Sequence, residues 1–158
     1  MMRQYAVLAG RLRQEIAQIE HIVLRVQAVC QNADLEDTIK SESLALNLQS
    51  FYTGVERLLQ LVASSLDGGI PKGSDRHRQL LQQMIIEVHT VRPAILRPTT
   101  ARSLDEYLRF RHIVRNLYAF ELDNQRIQPL ASGLQSVYEE LKQDIDHFVS
   151  FLDEVALS

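Results

Sequence analysis

Residues 106–120 read EYLRFRHIVRNLYAF. Inside that run three arginines and a histidine, Arg109, Arg111, His112 and Arg115, interrupt Tyr107, Leu108, Phe110, Ile113, Val114, Leu117, Tyr118 and Phe120. On a helix turning about 100° per residue, Tyr107, Phe110, Ile113, Val114 and Leu117 share one apolar sector that must face a core. Arg111, Arg115 and Tyr118 then form a stripe at its border, with His112 and Asn116 as a second polar stripe beside it. Guanidinium groups at this spacing offer forks of N–H donors that suit phosphate oxygens. The same residues equally fit a solvated basic face, or ion pairs with a neighbouring helix through carboxylates such as Glu56 or Glu42.

Other chemistries have less to stand on. The histidines, His21, His77, His89, His112 and His147, show no HExxH spacing, and the single cysteine, Cys30, builds neither a zinc site nor an intramolecular disulfide. No metal or cofactor is therefore expected. GGIPKGS at 68–74 lacks the GxxxxGK[ST] order of a phosphate loop and reads as a turn, and no serine sits in a nucleophile elbow. With a net charge of -3, attraction of nucleic acid must come from a local patch and not from the molecule as a whole.

The chain has 158 residues, 46% apolar and 23% charged, the size and balance of one globular domain spanning 1–158. The N-terminal MMRQYAVLAGRLRQEIAQ has no signal-peptide core, and nowhere do eighteen apolar residues run together. A cytoplasmic protein without a membrane span is expected.

The elements that would position the basic stretch are all helical. Tyr5, Leu8, Leu12, Ile16, Ile19, Val23 and Val26 step by threes and fours along a first long helix. QNADLED breaks it, with Asp34 as the expected N-cap of a second helix carrying Ile39, Leu44, Leu48, Phe51, Val55, Leu58, Leu59, Val62 and Leu66. DGGIPKGS ends that helix. A third helix is expected from about Asp75 to Val91, stopped by the prolines of RPAILRPTT. Ser103 with Glu106 three residues later fits a capping box, so a fourth helix should begin there and contain the whole basic stretch. A fifth carries Ile127, Leu130, Leu134, Val137, Leu141, Ile145, Phe148 and Leu152, with Pro129 tolerated in its first turns. No segment alternates with period two. The expected fold is all-α, an antiparallel four-helix bundle with one additional helix. Within FYTGVERLL, Gly54 implies close approach of another helix, and Glu56 is expected to pair with an arginine of the fourth helix and so position it.

From about Ser41 to Leu152 the sequence resembles the HEPN superfamily, and within it the HepT-like proteins, ribonuclease toxins of HEPN/MNT toxin–antitoxin pairs. The resemblance rests on FYTGVERLLQLVASSLDGGIPKGSDRHRQLLQQM, LDEYLRFRHIVRNLYAFELD and the closing amphipathic helix. Their motif, R-x4-H-x-Y, falls with its arginine on Arg111 and its tyrosine on Tyr118, while Asn116 stands where the histidine belongs. The resemblance implies a homodimer whose paired motifs form a basic cleft for metal-independent RNA cleavage, with tRNA among the possible targets. There a base activates the 2′-hydroxyl, arginine stabilises the phosphorane and an acid protonates the leaving oxygen. It also implies a partner, an MNT-type nucleotidyltransferase that neutralises the toxin by attaching AMP to the tyrosine, here Tyr118. Asparagine exchanges no protons, so the departure at Asn116 leaves two outcomes. Either His112 takes over as base, with Arg109 and Arg115 holding RNA phosphate, or the chain is an inactive HEPN module serving as a nucleic-acid-binding, nucleotide-binding or scaffold dimer.

Overall fold

A computed structural model describes residues 2–158. Those residues form five α-helices: α1 (Met2–Gln31), α2 (Asp37–Leu66), α3 (Arg76–Gln83), α4 (Pro98–Val114) and α5 (Asn124–Leu157), with a 3-10 turn at Ala119–Glu121 between the last two. No strand occurs among the described residues, so the all-α expectation holds.

The apolar stripes dictate the packing. Leu8, Leu12, Ile16, Ile19, Val23 and Val26 of α1 are buried, as are Leu44, Leu48, Phe51, Val55, Leu58, Leu59 and Val62 of α2 and Leu134, Leu141, Ile145, Phe148 and Leu152 of α5. Long helices with one buried face must lie side by side, and α1 packs on both α2 and α5 while α4 closes the ring between α2 and α5. Directions alternate. Gln4 bonds Ser65 and Ile19 meets Gly54 across α1 and α2; Arg13 meets Asp153 and Gln27 meets Gln135 across α1 and α5; Arg97 bonds Asp144 and Tyr107 bonds Leu130 across α4 and α5. In each pair one index rises as the other falls. The result is an antiparallel four-helix bundle, with α3 as the additional helix lying on α2 and α4.

Gly54 does what was expected of it. A Cβ at this position would lie 2.9 Å from Ile19 Cγ1, so α1 approaches α2 here more closely than a larger residue would allow without a shift.

Four boundaries differ from the expected ones. Glu36, not Asp34, precedes α2, and it makes no side-chain cap bond. Helix α3 stops at Gln83, because the chain then folds into a tight turn in which Val88 pairs with Arg92, Thr90 adopts φ 63°, and Met84 O accepts from Ile95 and Leu96 N–H. Helix α4 begins at Pro98, five residues before the supposed capping box. Proline at the first helical position loses no hydrogen bond, and Ser103 Oγ instead donates to Thr99 O within the helix. The same helix ends at Val114, so it does not contain the whole basic stretch. Residues 115–118 turn away, Ile113 is 39% exposed, and Tyr118 and Phe120 lie outside the core at 71% and 84%.

Candidate functional site

Three helices converge on Arg111. Helix α2 presents Tyr52, Thr53 and Glu56 on neighbouring turns. Helix α4 brings Arg111 and His112 in its last turn, where the exposed carbonyls favour positive charge. Helix α3 brings His77 in its first turn, after a loop whose Gly73, at φ 106°, takes a backbone conformation that other residues rarely adopt.

Arg111 is buried, only 8% exposed, and so is Glu56. One guanidinium nitrogen donates to Glu56 Oε2 at 3.2 Å and another to Thr53 Oγ1 at 3.3 Å, while the guanidinium carbon lies 5.2 Å from the centre of the Tyr52 ring. Such a cation–π contact adds about 0.5–2 kcal/mol to the ion pair. Arg111 Nε is buried with no partner, a cost of about 1–3 kcal/mol. The pairing expected of Glu56 is thus present, with Arg111 as the arginine. Burial, reinforced by the charge of Glu56, pushes the Tyr52 hydroxyl well above the ordinary phenol range and keeps it protonated.

Glu56 has a second partner that spacing did not reveal. His77 Nδ1 lies 2.7 Å from Glu56 Oε2 and 2.9 Å from Oε1, and 3.3 Å from an Arg111 nitrogen. His77 stands 34 residues from Arg111, so no local pattern linked the two. Its ring meets that of His112 edge-on, centroids 5.7 Å apart and planes at 90°. The His112 imidazole is held below the ordinary histidine range, first by desolvation and then by Arg115, His77, Arg111 and Arg78, so it is neutral near pH 7. Ser74, Asp75, His77, Arg78, Leu108 and His112 line a cavity of about 120 Å³. Arg78 also lines a larger groove of about 530 Å³ between α3 and α4, together with Arg102, Asp105 and Arg109.

The other residues singled out from the sequence lie at the surface, outside the buried contacts of Arg111. Arg109 is exposed and pairs with Asp105 at 3.3 Å, one turn back on its own helix. Arg115 is exposed just beyond the end of α4 and has no carboxylate partner among the described residues. Asn116 is exposed and its amide donates to His112 O at 3.4 Å. Tyr118 stacks on Phe120 with centroids 5.5 Å apart, and its backbone N–H donates to Glu121 Oε1 at 2.9 Å. Because α4 ends at Val114, the single stripe expected for Arg111, Arg115 and Tyr118 is broken: Arg111 points into the bundle and Tyr118 out of it.

A buried guanidinium beside one neutral imidazole and one carboxylate-bound imidazole can hold an anion and move protons. Among the described residues no group of three or more histidine, cysteine, aspartate or glutamate side chains is placed to hold a metal ion, and no helix is long and apolar enough to cross a membrane.

No curated protein and no solved structure matches the chain. A family model described as HepT-like protein matches residues 43–152, a span that holds Thr53, Glu56, His77, Arg111, His112, Asn116 and Tyr118 and leaves out α1, the loop after it, the start of α2 and the end of α5. The match extends over more than half of the sequence, and the fold is the bundle with an added helix that the resemblance implies: the chain belongs to the HepT-like family of HEPN-type proteins.

Proposed function

We propose that this protein is a metal-independent endoribonuclease of HEPN type, the toxin component of a HEPN/MNT pair, acting on RNA as a homodimer in the cytoplasm. The observation that carries the reading is the Arg111–His112 pair at the end of α4. It places a phosphate-binding cation next to an imidazole that is neutral, and so able to accept a proton, near pH 7. His112 takes the proton of a ribose 2′-hydroxyl, and Arg111 stabilises the charge that develops on the phosphorane. Arg109 and Arg115, both exposed, hold the flanking phosphates. The exposed Tyr118 hydroxyl is the acceptor for AMP from an MNT-type nucleotidyltransferase, which would close the cleft with added charge and bulk.

Incubation of the purified protein with tRNA tests this. Wild type is expected to cut, and Arg111→Ala and His112→Ala to cut at least about a hundredfold more slowly. Equal degradation by wild type and Arg111→Ala would mean a contaminant and would end the enzyme reading. Light scattering should give a dimer.

A second reading, a binding or scaffold module without catalysis, is favoured by Asn116, which falls where the family's motif has histidine and whose side-chain amide donates to His112 O. Asn116→His separates the two: ribonuclease activity gained by an otherwise inert protein identifies a degraded site.

A further inference from the structure

We propose that His77 is the general acid of this site, an imidazole supplied from α3 in place of the one that Asn116 lacks on α4. The inference rests on the ribonuclease reading and extends it to a residue outside the family motif.

The geometry begins at Glu56. Its carboxylate lies within 2.9 Å of His77 Nδ1 through both oxygens and, ionised, has no proton to give. Nδ1 therefore carries the proton and donates it, which fixes the tautomer and the ring orientation and leaves Nε2 as the one ring nitrogen free for chemistry. His77 and His112 wall the same small cavity, edge to face, beside the guanidinium of Arg111. Two imidazoles beside an anion-binding cation can carry RNA transesterification between them. One removes a proton and the other supplies one.

The groups facing His77 are Glu56 from α2, Arg111 and His112 from α4, and Asp75 and Arg78 beside it in the chain. In the step itself, neutral His112 takes the 2′-hydroxyl proton as the 2′-oxygen bonds to phosphorus. The bond from phosphorus to the 5′-oxygen breaks with its electron pair, and protonated His77 gives its Nε2 proton to that oxygen. The products are a 2′,3′-cyclic phosphate and a free 5′-hydroxyl, and exchange with water returns both imidazoles to their starting forms. No oxidant, metal or second reactant enters. Glu56 is a positioning residue in this scheme, holding His77 and Arg111 through one carboxylate.

A structural role, tying α3 to α2, is the competing account, and the leaving group tells the two apart. His77→Asn places an amide donor where Nδ1 was, so the tie to Glu56 is kept while the transferable proton is lost; His77→Gln is the second variant if the first does not fold, with thermal melting as the check. Two substrates are needed: RNA, whose 5′-oxygen must be protonated to leave, and uridine 3′-(4-nitrophenyl phosphate), whose nitrophenolate leaves unaided. The expected result is an RNA cleavage rate lowered about 10²–10⁴-fold, with the fall of rate on the alkaline side of the pH profile abolished and the nitrophenyl ester cleaved within about tenfold of wild type. Cleavage of RNA at the wild-type rate, or equal losses on both substrates, overturns the role of His77 while leaving the ribonuclease reading intact. A wild-type protein that cleaves neither substrate removes both.

Discussion

Two arginines in this molecule are buried against a carboxylate from the C-terminal half of α2 or its cap, and they are built to different ends. Arg92 and Asp67 are sealed, their side chains 0% and 4% exposed. Arg92 makes five hydrogen bonds, two of them to the Asp67 carboxylate at 2.7 and 2.8 Å and the rest to the carbonyls of Ile86, Pro93 and Gln83. Each nitrogen is used, and the tight turn after α3 is pinned to the end of α2. Arg111 has longer bonds, 3.2 Å to Glu56 and 3.3 Å to Thr53, an unpartnered Nε, and the His77 imidazole where Arg92 has carbonyls. Saturated donors make a fastener; a guanidinium with longer bonds and a donor left unpaired is held less firmly.

The contrast predicts which arginine the fold needs. Arg92→Ala leaves Asp67 buried without its cation and frees three carbonyls, so it should cost about 3–5 kcal/mol in urea unfolding. Arg111→Ala should cost less, about 1–3 kcal/mol, because Glu56 keeps His77 as a partner. Its larger effect should be on RNA cleavage. If the order of the two stability losses is reversed, Arg111 is a fastener as well and the distinction collapses.

The fold was legible because burial repeats along the chain: apolar residues at steps of three and four define α1, α2 and α5 without reference to one another. Glu56 was legible for a related reason, a carboxylate on an otherwise apolar face that must find a cation. The limits of α4 were not. Pro98 opens that helix and Ser103 looked like its cap only because serine and glutamate at that spacing also occur inside helices, where the hydroxyl bonds a carbonyl one turn back. The site differs accordingly, since a stripe through Arg111, Arg115 and Tyr118 needs a helix continuing to Tyr118 and α4 stops at Val114. His77 lay hidden for a different reason. Its partners come from α2 and α4, 21 and 34 residues away, and only the packing of α3 brings them together.

Acidification acts on the Arg111 site through His112. Desolvation and the surrounding cations hold the folded His112 below the ordinary histidine range, so between its folded value and about 6.5 the unfolded chain binds the extra proton. Stability is then full above about pH 6.5 and is lost as the pH falls through that window. Because His112 is exposed to solvent at the cavity mouth, the change is small. Urea midpoints compared at about pH 5 and about pH 7.5 should move less in His112→Gln than in wild type.

The smallest structural effect is expected at Tyr118, and it bears most directly on the partner. The hydroxyl belongs to an exposed ring stacked on Phe120 and supports no part of the core, so Tyr118→Phe should change stability by less than about 0.5 kcal/mol. Under the proposed pairing the same substitution removes the only oxygen to which AMP would be attached at that position. Incubation with ATP and a co-encoded nucleotidyltransferase should add AMP to wild type, read as a mass increase, and leave Tyr118→Phe unlabelled. Labelling of both proteins alike would move the modification to another residue and detach Tyr118 from the regulation of the site, while the comparison of Arg92 with Arg111 would stand.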